Sequence, residues 1–466
     1  MKLSDKAIKF YGDNPNKIFF YSLDATYDGE YCSKKINNYV GQLEKLNITN
    51  IALNLKNSIN FVLWYIAADK VCKNIFLISS DFSGSLVKDI VDKYKIQALI
   101  SHGSEQAKSL LNTTKYKENY LDPNERVDVI FTSGTTGIPK GVVIRENAFL
   151  HVANELIKVT KQDENDLELI SMPMDRSFGL ARLRSCIMSG SSALISDGLR
   201  DFPSIYSFSK INPITGLSLV PSALQIIILQ LRKKAKTFTK NVKYFELGSS
   251  SLLDDQLRWI NESFYDAKII HHYGMTESSR AFLKRLDQID QEDSGFVGSP
   301  LPGVNYKISK QDNNKAGELL LNGKNLFSSY LEDTDNNLKL KDGWFHTGDN
   351  CIVKDNKVFL CGRSDNQINI GGAKVQIEKV EEILESVDGV EESICFEIPD
   401  KILGKNIAAI IKTDQEYSKI KDIIKLAFKN YPAYYLPLKI KTIDKLPKTF
   451  NGKKLRNKLS LAELLK

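Results

Sequence analysis

One stretch narrows the possible folds more than any other: Asp128-Val-Ile-Phe-Thr132-Ser133-Gly134-Thr135-Thr136-Gly137-Ile138-Pro139-Lys140-Gly141-Val-Val-Ile144. Apolar, strand-forming residues flank a loop of hydroxyls and glycines that ends on a lysine. Glycine lets backbone N–H groups approach a polyphosphate closely. The hydroxyls add donors, and Lys140 adds a positive charge. Thr132, Ser133, Gly134, Thr135, Thr136, Gly137 and Lys140 are therefore candidates for holding ATP phosphates. The loop is not a Walker loop, which needs Gly-Lys-Ser/Thr after four intervening residues. Here Pro139 precedes the lysine and Gly141 follows it. A Gly/Thr-rich hairpin is the plain structural alternative, but a turn alone rarely needs this combination.

The surrounding pattern predicts an α/β protein. Residues 51–55 and 74–78 read as buried strands, with a helix over 61–68 between them. Strands alternating with helices imply a layered, largely parallel α/β arrangement, and this pattern runs to about residue 260. Over 295–362 glycines and Asn/Asp pairs punctuate short strands such as 317–321 and 357–360, a β-rich unit. Beyond 363 the character changes again. Val375, Ile377, Val380, Ile383 and Leu384 fall near helical spacing, and Ile420, Ile423, Ile424, Ala427 and Phe428 form a helical face. Residues 393–397 and 407–412 look like strands. The expectation is a large domain over 1–363 and a small α+β domain over 364–466.

With 466 residues, 42% of them hydrophobic, the chain can bury a large core without metals or disulfides. Its six cysteines lack metal-site or redox spacing and read as reduced, structural thiols. A net charge of +7 suits an anionic ligand but is not the concentrated basic patch of a nucleic-acid binder. Residues 1–10 have no signal-peptide core, and the most apolar stretch, 217–231, is too short and polar to span a bilayer. A cytoplasmic location without an integral membrane segment is expected.

Taken with its flanking strands, the Thr132–Lys140 loop resembles that of the adenylate-forming (AMP-binding) superfamily: acyl- and aryl-CoA ligases, luciferases and peptide-synthetase adenylation domains. Further motifs follow in the family's order. His272-Tyr273-Gly274-Met275-Thr276-Glu277-Ser278 resembles the second ATP motif. The resemblance implies that Tyr273 stacks on adenine, Thr276 contacts phosphate and Glu277 is the metal ligand for Mg2+. Taken alone, Thr-Glu would more often mark a helix N-terminus. Asp342-Gly343-Trp344-Phe345-His346-Thr347-Gly348-Asp349 resembles the next motif, with Asp349 accepting from the ribose hydroxyls. Gly362-Arg363-Ser364-Asp365 resembles the domain junction, which gives Arg363 a ribose contact and Asp365 the hinge. Gly371 and Gly372, in Asn369-Ile-Gly-Gly-Ala-Lys374, match the segment lining the pantetheine thiol tunnel; without the family they read as a turn before a helix over 375–386. Lys453, in Thr449-Phe-Asn-Gly-Lys453, matches the adenylation lysine. Gly248, Ser249 and Ser250 stand where the family has its loop beside adenine, and Val220-Pro221-Ser222 matches a turn lining the acyl pocket. The chain is somewhat short for the family, with the loss at its N-terminal end.

The resemblance implies two half-reactions. The acid carboxylate attacks the α-phosphorus of MgATP, releasing pyrophosphate, with Lys453 and the phosphate loop stabilising charge. The small domain then turns about Asp365, and a pantetheine thiol attacks the acyl-adenylate. The chain ends 13 residues after Lys453, so the expected acceptor is CoA or the phosphopantetheine of a separate carrier protein. Met172-Pro-Met-Asp175-Arg176-Ser-Phe178-Gly179 resembles the substrate-facing motif, where Arg176 replaces a frequent histidine. Arg176 is a candidate partner for a second substrate anion, a gate, or a paired surface residue. The same residues resemble the Phe-Asp-x-Ser motif in which Asp175 would bind an α-amine. Acyl or aryl acids and amino acids both remain open as substrates. A catalytically silent nucleotide-binding homologue is the remote third reading.

Overall fold

Short apolar runs bounded by turn residues pair into parallel strands because both faces are buried. The structure is a computed structural model. It describes residues 2–102, 108–109, 125–132, 139–231, 235–249, 252, 254–264, 266–288, 295–309, 316–331, 340–363, 367–444, 446 and 463, with backbone alone at 108–109, 254, 288 and 361–363. It divides into two compact units: Met1–Gly248 with Asp254–Cys361, and Ser249–Leu253 with Gly362–Lys466.

Among the described residues the first unit holds three sheets. In one, six parallel strands run in the order Lys268–Tyr273, Tyr244–Gly248, Gly216–Leu219, Leu167–Ile170, Ser192–Ile195 and Ile18–Tyr21, with antiparallel strands at both edges. In the second, Val127–Thr132, Asn74–Leu77, Asn50–Asn54 and Ala98–Ser101 are parallel, and Lys140–Arg145 returns antiparallel beside Val127–Thr132. The third is antiparallel and contains Val304–Ile308, Gly317–Gly323, Trp344–Lys354 and Lys357–Arg363. One apolar core reaches all three, from Phe20 and Ile170 through Ile51 and Ile130 to Leu319 and Phe345. The helix Ile59–Val71 is buried over every residue from 61 to 69, so it is apolar on all sides rather than amphipathic.

The second unit has an antiparallel pair, Gln367–Ile370 with Ala373–Gln376, and a three-stranded sheet of Glu392–Asp400, Gly404–Lys412 and Lys439–Ile443. The helices Ile377–Glu385 and Tyr417–Ala427 bury Val380, Leu384, Ile420 and Ile424 in its core. One sequence expectation is corrected here. Val375 belongs to a strand, not to the helix, because Gly371 and Gly372 both take positive φ (56° and 100°) and close a two-residue hairpin.

Among the described residues five cysteines are buried, and burial pushes the Cys32 and Cys72 thiols up to about 12. Among the described residues no helix is long and apolar enough to cross a membrane.

The strand that leads into the phosphate loop is anchored by charge. Asp128 is fully buried; it accepts from the Tyr65 hydroxyl (2.6 Å) and pairs with Arg126 and Arg184. Arg126 also bonds Asp69 (3.0 Å), whose other oxygen accepts the Ser4 N–H (2.9 Å) and so docks the N-terminal helix. Removing one member of such a cluster strands buried charges, a cost of about 3–5 kcal/mol. Asp128→Ala is expected to lower the urea midpoint of the first unit accordingly. An unchanged midpoint would show that the cluster does not anchor this strand.

Candidate active site

The phosphate-loop strands pair antiparallel, with Thr132 opposite Lys140. Ser133, Gly134, Thr135, Thr136 and Gly137 lie outside the described residues, as do Ser250, Asp365 and Lys453. Lys140 is exposed, and its ammonium lies 5.8 Å from the centroid of the Tyr330 ring.

His272 and Tyr273 end a parallel strand, and the chain returns antiparallel as Phe282–Arg285. Thr276 and Glu277 therefore occupy the connection of a hairpin rather than the start of a helix. The bend is tight: a Cβ on Gly274 would lie 1.7 Å from the Ser279 carbonyl oxygen, so only glycine fits. Glu277 Oε1 accepts from the Tyr330 hydroxyl at 2.9 Å.

Tyr273 reaches the β-rich sheet, where its hydroxyl donates to Asp349 Oδ2 at 2.5 Å. Asp349 is held in turn. Its N–H donates to Thr347 Oγ1 (3.0 Å), and that hydroxyl donates to the Leu319 carbonyl (2.7 Å). The structure thus brings together the aromatic and the acid that the resemblance assigned to adenine and ribose.

His272 belongs to a buried polar group. Its Nδ1 lies 2.7 Å from Glu246 Oε1, and its ring meets Phe178 edge-on at 4.8 Å. Gly248 makes room for the ring, since a Cβ there would lie 2.0 Å from it. Arg280 Nε donates to Glu246 Oε1 (2.9 Å), and its other nitrogens donate to the Ser177 (3.3 Å) and Phe178 (3.4 Å) carbonyls. Burial alone would raise the Glu246 pKa; the Arg280 charge, with His272 and Arg182, overcomes this and holds the carboxyl well below its usual range. Burial first, then repulsion by Arg280, lowers the His272 pKa, so the ring is neutral at pH 7.

Asp175 is buried, with Oδ2 accepting the Ser80 N–H at 3.0 Å and Oδ1 3.7 Å from Arg176 Nε. Burial raises its pKa against the opposing pull of Arg176. Arg176 donates to the Phe131 carbonyl and to Ser79 Oγ, both at 3.2 Å. Ser222 is half-buried in the first turn of the helix Pro221–Leu231. Arg363 ends the strand Lys357–Arg363. Ser249 takes a positive φ of 80°, and its hydroxyl donates to the Gly372 carbonyl (3.2 Å) of the same compact unit.

Sequence reasoning missed Glu246, Arg280 and Tyr330. A charge inside the apolar strand Tyr244–Gly248 was the available signal for Glu246; Tyr330 carried none.

A sequence model of the AMP-binding enzymes matches residues 48–331, and one of their C-terminal domain matches residues 379–453. The chain belongs to the AMP-binding enzyme family. VraA of Staphylococcus aureus (strain COL), provisionally named a long chain fatty acid–CoA ligase, is 24% identical over 96% of this chain and 95% of its own. The oxalate–CoA ligase of Arabidopsis thaliana is 27% identical over 81% of this chain and 77% of its own. The o-succinylbenzoate CoA synthetase MenE of Bacillus subtilis, solved with a product analogue, shares the fold at a TM-score of 0.81 and 20% identity, over 97% of this chain and 98% of its own. Like other members of this family, the protein is an AMP-forming ligase that activates a carboxylic acid with ATP and forms a thioester.

The lowered His272 pKa has a pH consequence. Below about pH 6.5 the unfolded chain takes up a proton there that the folded chain refuses, so stability falls as pH falls through that value. The thermal midpoint should drop between pH 7 and 5, and less steeply in His272→Gln. Parallel slopes would mean that His272 is protonated in the fold.

Proposed function

We propose that the acid activated is an acyl or aryl acid without a free α-amine, and that CoA accepts the acyl group. The observation that carries the substrate class is Asp175. To hold an ammonium it would have to be a free carboxylate facing the acid. Instead it is buried, bonded to the Ser80 N–H, and has Arg176 as its cation. A second cation there would meet Arg176 as a like charge. CoA is favoured over a carrier protein by the CoA ligases among the relatives.

The remaining roles are those the resemblance implies, and the chemistry of each group suits them. Tyr273 offers a face to adenine, and Asp349 and Arg363 take the ribose. The phosphate loop from Thr132 to Lys140, with Thr276, cradles the phosphates, while His272, Gly248, Phe178 and Ser222 wall the nucleotide and acid. Glu277 fits Mg2+, a hard cation that takes carboxylate oxygen beside phosphates: its carboxylate is half-buried and already oriented by Tyr330. Bound there, Mg2+ would neutralise charge on the phosphates. Lys453 contributes its charge as the carboxylate oxygen bonds to the α-phosphorus and the bond to pyrophosphate breaks. No protein nucleophile is needed, so positioning and electrostatics do the work. Turning about Asp365 would then bring Gly371 and Gly372 to the thiol.

Pyrophosphate release with MgATP across fatty, aryl, dicarboxylic and amino acids tests this directly. Turnover with a fatty, aryl or dicarboxylic acid, lost in Lys453→Ala, is expected. Turnover confined to amino acids would transfer Asp175 to amine binding. Silence across the panel with ATP binding intact would favour a catalytically silent homologue.

Arg176 places one donor on the Phe131 carbonyl, near the end of the phosphate-loop strand, and another on Ser79 Oγ. Arg176→Ala should therefore raise KM for ATP and for neutral acids together. A rise confined to acids with a second anion would assign Arg176 to the substrate instead.

A further inference from the structure

Glu277 is gripped through both backbone and side chain, and these grips come from one short segment. Phe327 N–H donates to the Glu277 carbonyl at 2.8 Å. Asn325 Nδ2 donates to the Ser278 (2.7 Å) and Arg280 (2.9 Å) carbonyls. The Tyr330 hydroxyl donates to the Glu277 carboxylate. The same segment also grips the phosphate-loop strand. Ser328 N–H donates to the Val143 carbonyl and Leu331 N–H to the Gly141 carbonyl, both at 2.8 Å. Ser329 and Tyr330 pair antiparallel with Val143 and Val142. Leu331 also fills the space over Gly141, where a Cβ would come within 2.4 Å of it.

We propose that segment 325–331 is a brace that fixes the spacing between Lys140 and the Glu277 carboxylate, with Tyr330 as its positioning residue. The inference rests on the reading of Glu277 as the Mg2+ ligand. A carboxylate on a turn can rotate, whereas a metal ligand must present its oxygen in one direction, and groups behind the ligand set that direction. Tyr330 is 7% exposed, and its hydroxyl donates to Glu277 Oε1 at 2.9 Å from a fixed place on its strand. Its ring meanwhile faces the Lys140 ammonium. One side chain thus meets both Glu277 and Lys140, from a strand registered against Val142 and Val143.

The test is equilibrium binding of a non-hydrolysable ATP analogue to the full chain, with Mg2+ and with EDTA. Tyr330→Phe keeps the ring and removes only the hydroxyl. Expected is about tenfold weaker binding in Mg2+, unchanged binding in EDTA, and no further loss when the change is added to Glu277→Gln. Wild-type affinity in Mg2+, or an equal loss in both conditions, would overturn the positioning role while leaving Glu277 assigned. If Glu277→Gln itself keeps wild-type Mg2+ dependence, the assignment of Glu277 fails and the brace fails with it.

Discussion

Glu246 is the group around which the first unit's site is organised. A carboxylate without solvent exposure is unfavourable by several kcal/mol unless its surroundings replace water. Here Arg280 Nε lies at 2.9 Å, Arg182 Nη1 at 3.5 Å and His272 Nδ1 at 2.7 Å. Each partner leads onward. Arg182 binds Glu168 through two nitrogens (2.7 and 2.6 Å), and Glu168 also accepts from Ser218 and Tyr244. Arg280 leads to the carbonyls of Ser177 and Phe178. The network threads four neighbouring parallel strands and ends on His272 and on the Ser177 and Phe178 carbonyls, in the two motifs to which the resemblance assigns nucleotide and acid. Inside a low-dielectric core such a network is rigid when its members are satisfied. A wall that does not yield is what a reaction driven by positioning requires.

The same arrangement separates buried, paired cations from an exposed one. Arg126, Arg182, Arg184 and Arg280 are all buried against carboxylates. Their charge is cancelled locally and attracts no phosphate. Lys140 differs in being exposed, with an aromatic face beneath it. A face of that kind holds a cation in place without neutralising it, so the charge remains available to an anion.

How far the sequence could be read follows from the range of each interaction. The strands around 51–55, 74–78 and 127–132 were legible because buried parallel strands are continuous apolar runs, and the antiparallel strand after 140 because the loop before it is chemically unusual. The Tyr273–Asp349 pair joins two motifs 76 residues apart, and the resemblance named both residues without their contact. The Glu246–Arg280 pair, 34 residues apart, was not legible. Nothing in a local window says which strand will lie beside which, and a single acid in an apolar strand signals only that some partner exists. Around 375 the difficulty is local. Val375 and Ile377 are both buried, but the first is in a strand and the second opens a helix. A period-two contact followed by a period-3.6 face imitates one longer helix.

The motif Met174-Asp175-Arg176-Ser177 shows how one local pattern serves two chemistries. An aspartate that binds an amine must be free, charged and directed at the substrate. The residue after Asp175 supplies a guanidinium 3.7 Å away, and the backbone of Ser80 takes its other oxygen. Burial raises its pKa against the opposing pull of Arg176 and the Ser80 N–H, which weakens it as an anion. Arg176 in turn is bonded to Phe131, the residue before Thr132. The aspartate and arginine therefore act as a tie between the start of the helix Ser177–Ser189, the 79–80 turn and the phosphate-loop strand. An amine brought to Asp175 would meet that tie's own guanidinium, 3.7 Å from Oδ1, as a like charge.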